Sequence, residues 1–178
     1  FLAEHGMFVM DAVHYADKQA GLYEGEAVEF KELYDFGKYQ SGIKACPVTA
    51  SFDSKENAPS VTYELYSEEE KDCFLNLYTS PANPLIYGGK LSMEVSVNEE
   101  SGKLVEFTED GYKGGEPGCI PWEQAVLNQE HVGSTEISLK KGLNKITVFA
   151  REAGMVLERL VIYPKDMERA VSYLGEKE

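Results

Sequence analysis

Three histidines, three cysteines and 31 acidic side chains are the groups in this sequence with the chemistry to catalyse or to hold a metal. His5, His14 and His131 lie far apart, and none stands at ligand spacing from another histidine or from Cys46, Cys73 or Cys119. Structural metal sites draw their ligands in closely spaced pairs, so no metal or other cofactor is expected, and the histidines read as structural or solvated. The odd cysteine count and the absence of a C-x-x-C pair argue against a disulfide framework. There is no nucleophile elbow, H-E-x-x-H pair, phosphate loop or dinucleotide fingerprint; the glycines of "KGGEPGC" follow no strand and open no helix. Glu68, Glu69, Glu70, Glu99 and Glu100 stand in turns, where solvation accounts for them, so no glycosidase-type carboxylate pair is assigned.

Aromatic residues are more informative. Eleven Tyr, eight Phe and one Trp exceed what a core of this size absorbs, so some rings are expected to face solvent. Tyr39, Tyr78, Tyr87, Tyr112 and Trp122 fall at or near loops, where flat rings can stack on sugar faces while amides pair with hydroxyls. The candidate carbohydrate-binding set is Trp122 and Tyr87 as the platform, with Asn83 and Asn128 as hydroxyl partners. An anionic sugar would in addition need a local cation such as Lys44, Lys90 or Lys113 to offset the net charge of −14. The competing reading of Trp122 is a core plug at one end of the fold, given the large area that Trp buries.

These loops must hang on strands. "MFVMDAVHYA" (7–16) reads as a first strand, rich in Val, Phe and Tyr. Residues 25–48 hold two short strands around a Gly-bearing turn at Phe36 to Lys38. "SVTYELYSEEEKDCFLNLYTSP" (60–81) reads as a hairpin about the charged turn "SEEEKD", and "GKLSMEVSVNEESGKLVEF" (89–107) as another about "NEESG". "STEISLKKGLNKITVFA" suggests a third hairpin about "KKGLN", and 140–164 a closing pair of strands. "PWEQAVLN" reads as one more short strand. Only 164–178 reads as helical, with Pro164 in a first-turn position.

About nine or ten short strands at this spacing are the pattern of an all-β chain folded as a β-sandwich, or jelly roll, here with a short C-terminal helix. The expected organisation is one sandwich domain over 1–163 and a helical tail over 164–178. Leu65, Leu77, Met93, Val95, Val97, Ile146, Val148, Leu157 and Val161 are expected between the sheets. The net charge of −14 repels phosphate backbones and anionic membranes, so neither nucleic acid nor membrane is an expected partner. No apolar run approaches the roughly 20 residues that span a bilayer. Unpaired cysteines and an opening "FLAEHGMFVM" without a basic leader lean toward a reducing, cytoplasmic compartment, and the missing initiator Met toward a piece of something longer.

The blocks "GKYQSGIKACPVTASF", "VTYELYS", "LYTSPANPLIYGGKLSMEVSVNEE", "PWEQAVLN" and "KGLNKITVFAREAGMVLERLVIYP", in this order and spacing, resemble the C-terminal domain of family 115 glycoside hydrolases, as does the closing "SYLG". The resemblance implies a jelly-roll module at the end of a large xylan α-1,2-glucuronidase whose catalytic residues lie in other domains. It thus implies a non-catalytic structural or docking domain with the parent's other domains as partners. A xylan-derived saccharide and a homodimer formed through the parent enzyme are further candidate partners, and an independent module for xylan or uronic-acid-bearing oligosaccharides is the alternative. The domain is similar to carbohydrate-binding modules of families 6 and 35, in which the resemblance implies a calcium held by an E-x-E pair on the first strand. That place reads Asp11-Ala12-Val13 here, one carboxylate short, so calcium is not expected.

Overall fold

The computed structural model describes residues 1–4, 6–86 and 88–167. Its strands are β1 (Phe8–Asp11), β2 (Asp17–Gln19), β3 (Gly21–Tyr23), β4 (Glu26–Tyr34), β5 (Ser41–Cys46), β6 (Ser60–Ser67), β7 (Lys71–Thr79), β8 (Ser92–Val97), β9 (Lys103–Glu106), β10 (His131–Leu139), β11 (Gly142–Ala150) and β12 (Val156–Pro164). Among the described residues one α-helix, α1 (Ile120–Asn128), and a single 3-10 turn over Lys55–Asn57 interrupt them. A seven-stranded sheet runs β10-β7-β12-β5-β4-β3, with β1 also paired to β12; the facing five-stranded sheet runs β2-β6-β11-β8-β9. The expected β-sandwich is therefore the observed architecture.

Alternation places the core. On β7, Cys73, Leu75 and Leu77 point inward, on β11 Ile146, Val148 and Ala150, and on β8 Met93, Val95 and Val97, all buried. Each fully buried aliphatic side chain of this kind stabilises by about 1.5–3 kcal/mol. Eight of the nine expected core residues are buried. The exception is Val161, which pairs with Val9 and Asn76 on the outer face of β12 and is only half-buried, because Leu160 and Ile162 take the inward positions.

Strand pairing departs from the expected hairpins in three places. β6 belongs to the five-stranded sheet and β7 to the seven-stranded one, so "SEEEKD" arches between sheets and closes no hairpin. The same holds for β10 and β11 about "KKGLN", and for β11 and β12. An arch and a hairpin need the same alternation and the same polar turn, so local pattern cannot separate them. At "KKGLN" the arch is built by buried Asn144, whose amide donates to the Lys140 and Gly142 carbonyls while its oxygen accepts from the Lys140 N–H and from Asn98. The pairs β4–β5 and β8–β9 are hairpins as expected.

"PWEQAVLN" is a helix and not a strand. Pro121 sits in the first turn, where its missing N–H costs no hydrogen bond. Glu, Gln, Ala and Leu then favour helix, and Gln129 in the left-handed region (φ 60°) closes it by donating to Ala125 and Val126. At the chain's end, Pro164 completes β12 and Lys165–Met167 form a turn; the rest of the expected helix lies outside the described residues.

Candidate ligand-binding surfaces on the sandwich

Residues 80–86, 88–91 and 107–119, with α1, gather beside the end of β7 and the start of β10. Their anchor is Tyr112, buried with its hydroxyl 3.1 Å from the Ala82 carbonyl, which accepts it, and 3.3 Å from His131 Nε2. The two rings meet edge to face at 5.6 Å. Burial holds the His131 imidazole below its usual pKa, partly opposed by its contact with the Ala82 carbonyl, so the ring is neutral near pH 7.

This arrangement engages one candidate and separates the others. Asn83 accepts within 3.4 Å of the Tyr112 hydroxyl, and Gly114 packs so closely that a β-carbon there would overlap the Asn83 amide oxygen. Trp122 is half-buried in the first turn of α1, while Asn128 is exposed at its last residue. Six helical residues rotate the side-chain direction by about 600°, leaving these two about 120° apart around the axis. They do not face one ligand together. Tyr87 lies outside the described residues. Two of the cations suited to a uronate are engaged: Lys90 bridges Glu106 (3.1 Å) and Asp110 (2.9 Å), and Lys113 lies 3.8 Å from Glu116. Lys44 stands opposite Lys31 across β4–β5.

Alongside exposed Glu123, Gln124 and Asn128, α1 presents aliphatic side chains to solvent. Only Ala125 is buried, whereas Ile120, Val126 and Leu127 are 60%, 46% and 81% exposed. In the loop before β8, Leu85 and Ile86 are likewise exposed.

A second cluster covers the outer face of the seven-stranded sheet. Arg159 donates through Nε and Nη2 to Asp11 Oδ1 at 2.7 and 2.6 Å, and its guanidinium stacks 4.3 Å from the centre of the Tyr39 ring. Tyr39 meets Tyr78 edge-on, and its hydroxyl donates to Glu130, which also takes Lys38 at 2.9 Å. Desolvation raises the Tyr39 phenol well above its ordinary range, with Glu130 adding to it. Buried Glu158 accepts from Ser80 Oγ (2.5 Å) and from the Tyr39 N–H (3.0 Å). The 35–40 turn can wrap it because Gly37 has φ +73° and no β-carbon, which would overlap the Glu158 carboxylate.

This cluster tests the fit of calcium at the first strand. Calcium takes six to eight oxygen ligands, but Asp11 contributes the lone carboxylate of its Asp-Ala-Val triplet, Ala12 and Val13 are buried, and a guanidinium already occupies that carboxylate. Among the described residues no group of three or more His, Cys, Asp or Glu is placed to share a metal. The residues present do not fit the ion.

A third cluster was not singled out from sequence. Tyr15 and Tyr34 each donate to one oxygen of Glu32, at 2.6 and 2.7 Å. Glu32 and Tyr34 are two apart on β4 and so share a face, which the stretch "FKELY" shows, but Tyr15 arrives from the β1–β2 connection, which no local pattern links to β4.

The seven-stranded and five-stranded sheets together define a β-sandwich of the jelly-roll class. The chain belongs to the glycosyl hydrolase family 115 C-terminal domain family, whose model matches residues 1–178. No curated protein matches the sequence. Among solved structures it is similar to a family 115 4-O-methyl-α-glucuronidase, BtGH115A, described as specific for decorated arabinogalactans (TM-score 0.57, 13% identity, covering 89% of this chain and 17% of that one). The family 35 carbohydrate-binding module from Clostridium thermocellum is also similar (TM-score 0.56, 12% identity, 87% and 97% covered). So is the CBM35 from Cellvibrio japonicus Abf62 (0.54, 9%, 88% and 91%). At these identities the likeness is one of fold. The chain spans 17% of the length of the glucuronidase it matches.

Proposed function

We propose that this domain is a non-catalytic part of a xylan-debranching α-glucuronidase and serves to dock on the parent enzyme's other domains. The observation that carries the reading is the outward face of α1, where Ile120 and Leu127, seven residues apart and so in line along the helix, meet solvent on the side away from half-buried Trp122 and buried Ala125. Isolated apolar side chains on a surface need no explanation, but a helix that buries one residue and exposes several aliphatic ones gains its stability by being covered. A specific contact needs about 800 Å² per partner, which a two-turn helix and an adjoining loop supply in part. The scattered candidate sugar ligands support docking over stacking at this end of the fold. A second reading, an independent module for xylan or uronic-acid-bearing oligosaccharides, is favoured by the likeness to family 35 modules.

The test is in the full-length parent. Ile120→Glu with Leu127→Glu is expected to leave the isolated chain folded while hastening protease release of this domain from the parent. Unchanged release would count against docking through α1. The isolated chain is expected to liberate no uronic acid from glucuronoxylan; turnover abolished by a single carboxylate substitution would overturn its non-catalytic role.

A further inference from the structure

We infer that Tyr15, Glu32 and Tyr34 form a shallow binding platform for a neutral, hydroxyl-rich ring of the pyranose type. This stands independently of docking through α1. Tyr34 is 65% exposed, yet its hydroxyl is fixed on Glu32 Oε2 while Tyr15 fixes Oε1. One carboxylate therefore holds two phenol rings in place before any ligand arrives, which lowers the ordering cost of binding. Tyr15 also lines a groove of about 480 Å³ with Phe1, Val13 and His14, leaving room beside the platform for a longer chain.

The chemistry of the cluster selects the ligand. Both phenol protons point at Glu32, so what remains on offer is acceptors: the tyrosine oxygens' lone pairs and the unused lone pairs of the carboxylate. Lys18 stands at the rim with part of its donor capacity spent: its ammonium lies over the Tyr15 ring (5.9 Å from the centroid), donates to the Phe30 carbonyl at 3.3 Å and sits 3.8 Å from Glu29, and its remaining N–H groups can meet a ligand hydroxyl oxygen. A fitting ligand must bring hydroxyl donors and an apolar C–H face for the rings, which a pyranose combines. A uronate brings a charge that Glu32 and Glu29 oppose.

The ionisation states agree with this. The Tyr15 hydrogen bond, followed by that of Tyr34, holds Glu32 below the usual carboxylate pKa, and the Glu32 bond pushes Tyr15 up to about 12. The cluster therefore keeps its donor and acceptor pattern across the neutral range.

The experiment is a ¹H–¹⁵N NMR titration of the chain with xylotetraose, cellotetraose and aldotetraouronic acid, each to about 10 mM. Saturable shifts are expected for the neutral sugars, centred on residues 12–18 and 30–36. Tyr34→Ala should weaken them at least about tenfold, Glu32→Gln should weaken them too, and Trp122→Ala should leave them unchanged. The uronate should bind more weakly at low salt, with the gap narrowing as salt rises. The inference is overturned by tighter binding of the uronate, by shifts confined to residues 83 and 122–128, or by no shifts with either neutral sugar while the spectrum stays folded.

Discussion

The Arg159 guanidinium lies between the Asp11 carboxylate, which it grips through two nitrogens at 2.7 and 2.6 Å, and the face of Tyr39 at 4.3 Å. The pair sits where the edge of β12 changes partner: β5 pairs with Val156 and Leu157, β1 with Arg159 to Ile162, and a bulge separates the two. Glu158, at the bulge, takes the Ala12 N–H on its carbonyl and the 35–40 turn on its carboxylate. An internal cation thus closes the seam between two short strands.

Stability is accordingly expected to be independent of calcium. Thermal melts with excess calcium and with a chelator should coincide, while Arg159→Gln should cost about 2 kcal/mol by stranding a part-buried carboxylate, or about 4–8 °C for a chain of this size. A rise in melting temperature on adding calcium would show that the Asp11 site does take the ion.

Side-chain direction on β7 and β12 separates two substitutions that look alike on paper. Leu77 is fully buried between the sheets and Val161 lies half-buried on the outer face. Leu77→Ala should cost about 2–5 kcal/mol and Val161→Ala under about 1.5 kcal/mol in urea unfolding. Equal costs would contradict the inward and outward assignment.

That contrast also marks how far the sequence could be read. Period-two alternation located most strands and eight of nine expected core residues, because burial of one face is a local property. Val161 failed because the bulge after Leu157 shifts which residues of "MVLERLVIY" point inward. Pairing failed at "SEEEKD" and "KKGLN" because the choice between hairpin and arch is made by strands far away in the chain. α1 was missed because "PWEQAVLN" is too short to show a helical period, and the capping Gln129 is not a usual left-handed residue. Of the candidate sugar-contacting residues, Trp122 and Asn128 were read as neighbours in sequence, and only the helical turn of α1 sets them about 120° apart; the contact of Tyr15 with Glu32 spans a connection that no motif describes.

His131 makes stability depend on pH in a definite direction. Its folded pKa is depressed by burial, so below the unfolded value of about 6.5 the unfolded chain takes a proton that the folded one resists. The contribution is complete above about 6.5 and is lost as pH falls toward the folded pKa. The melting temperature should fall between pH 7.5 and 5.5, and His131→Phe should flatten that part of the profile relative to wild type. An unaltered slope in the variant would show that other groups set it.

Docking through α1 is tested most directly by hydrogen exchange on this chain alone and on the full-length parent enzyme. Backbone amides of residues 120–128 have little burial to protect them in the free domain, where Ala125 is the helix's buried residue. In the parent, exchange over 120–128 should slow by at least about tenfold, while that of β7 and β12 should barely change. Identical exchange of the helix in both forms would contradict the docking role.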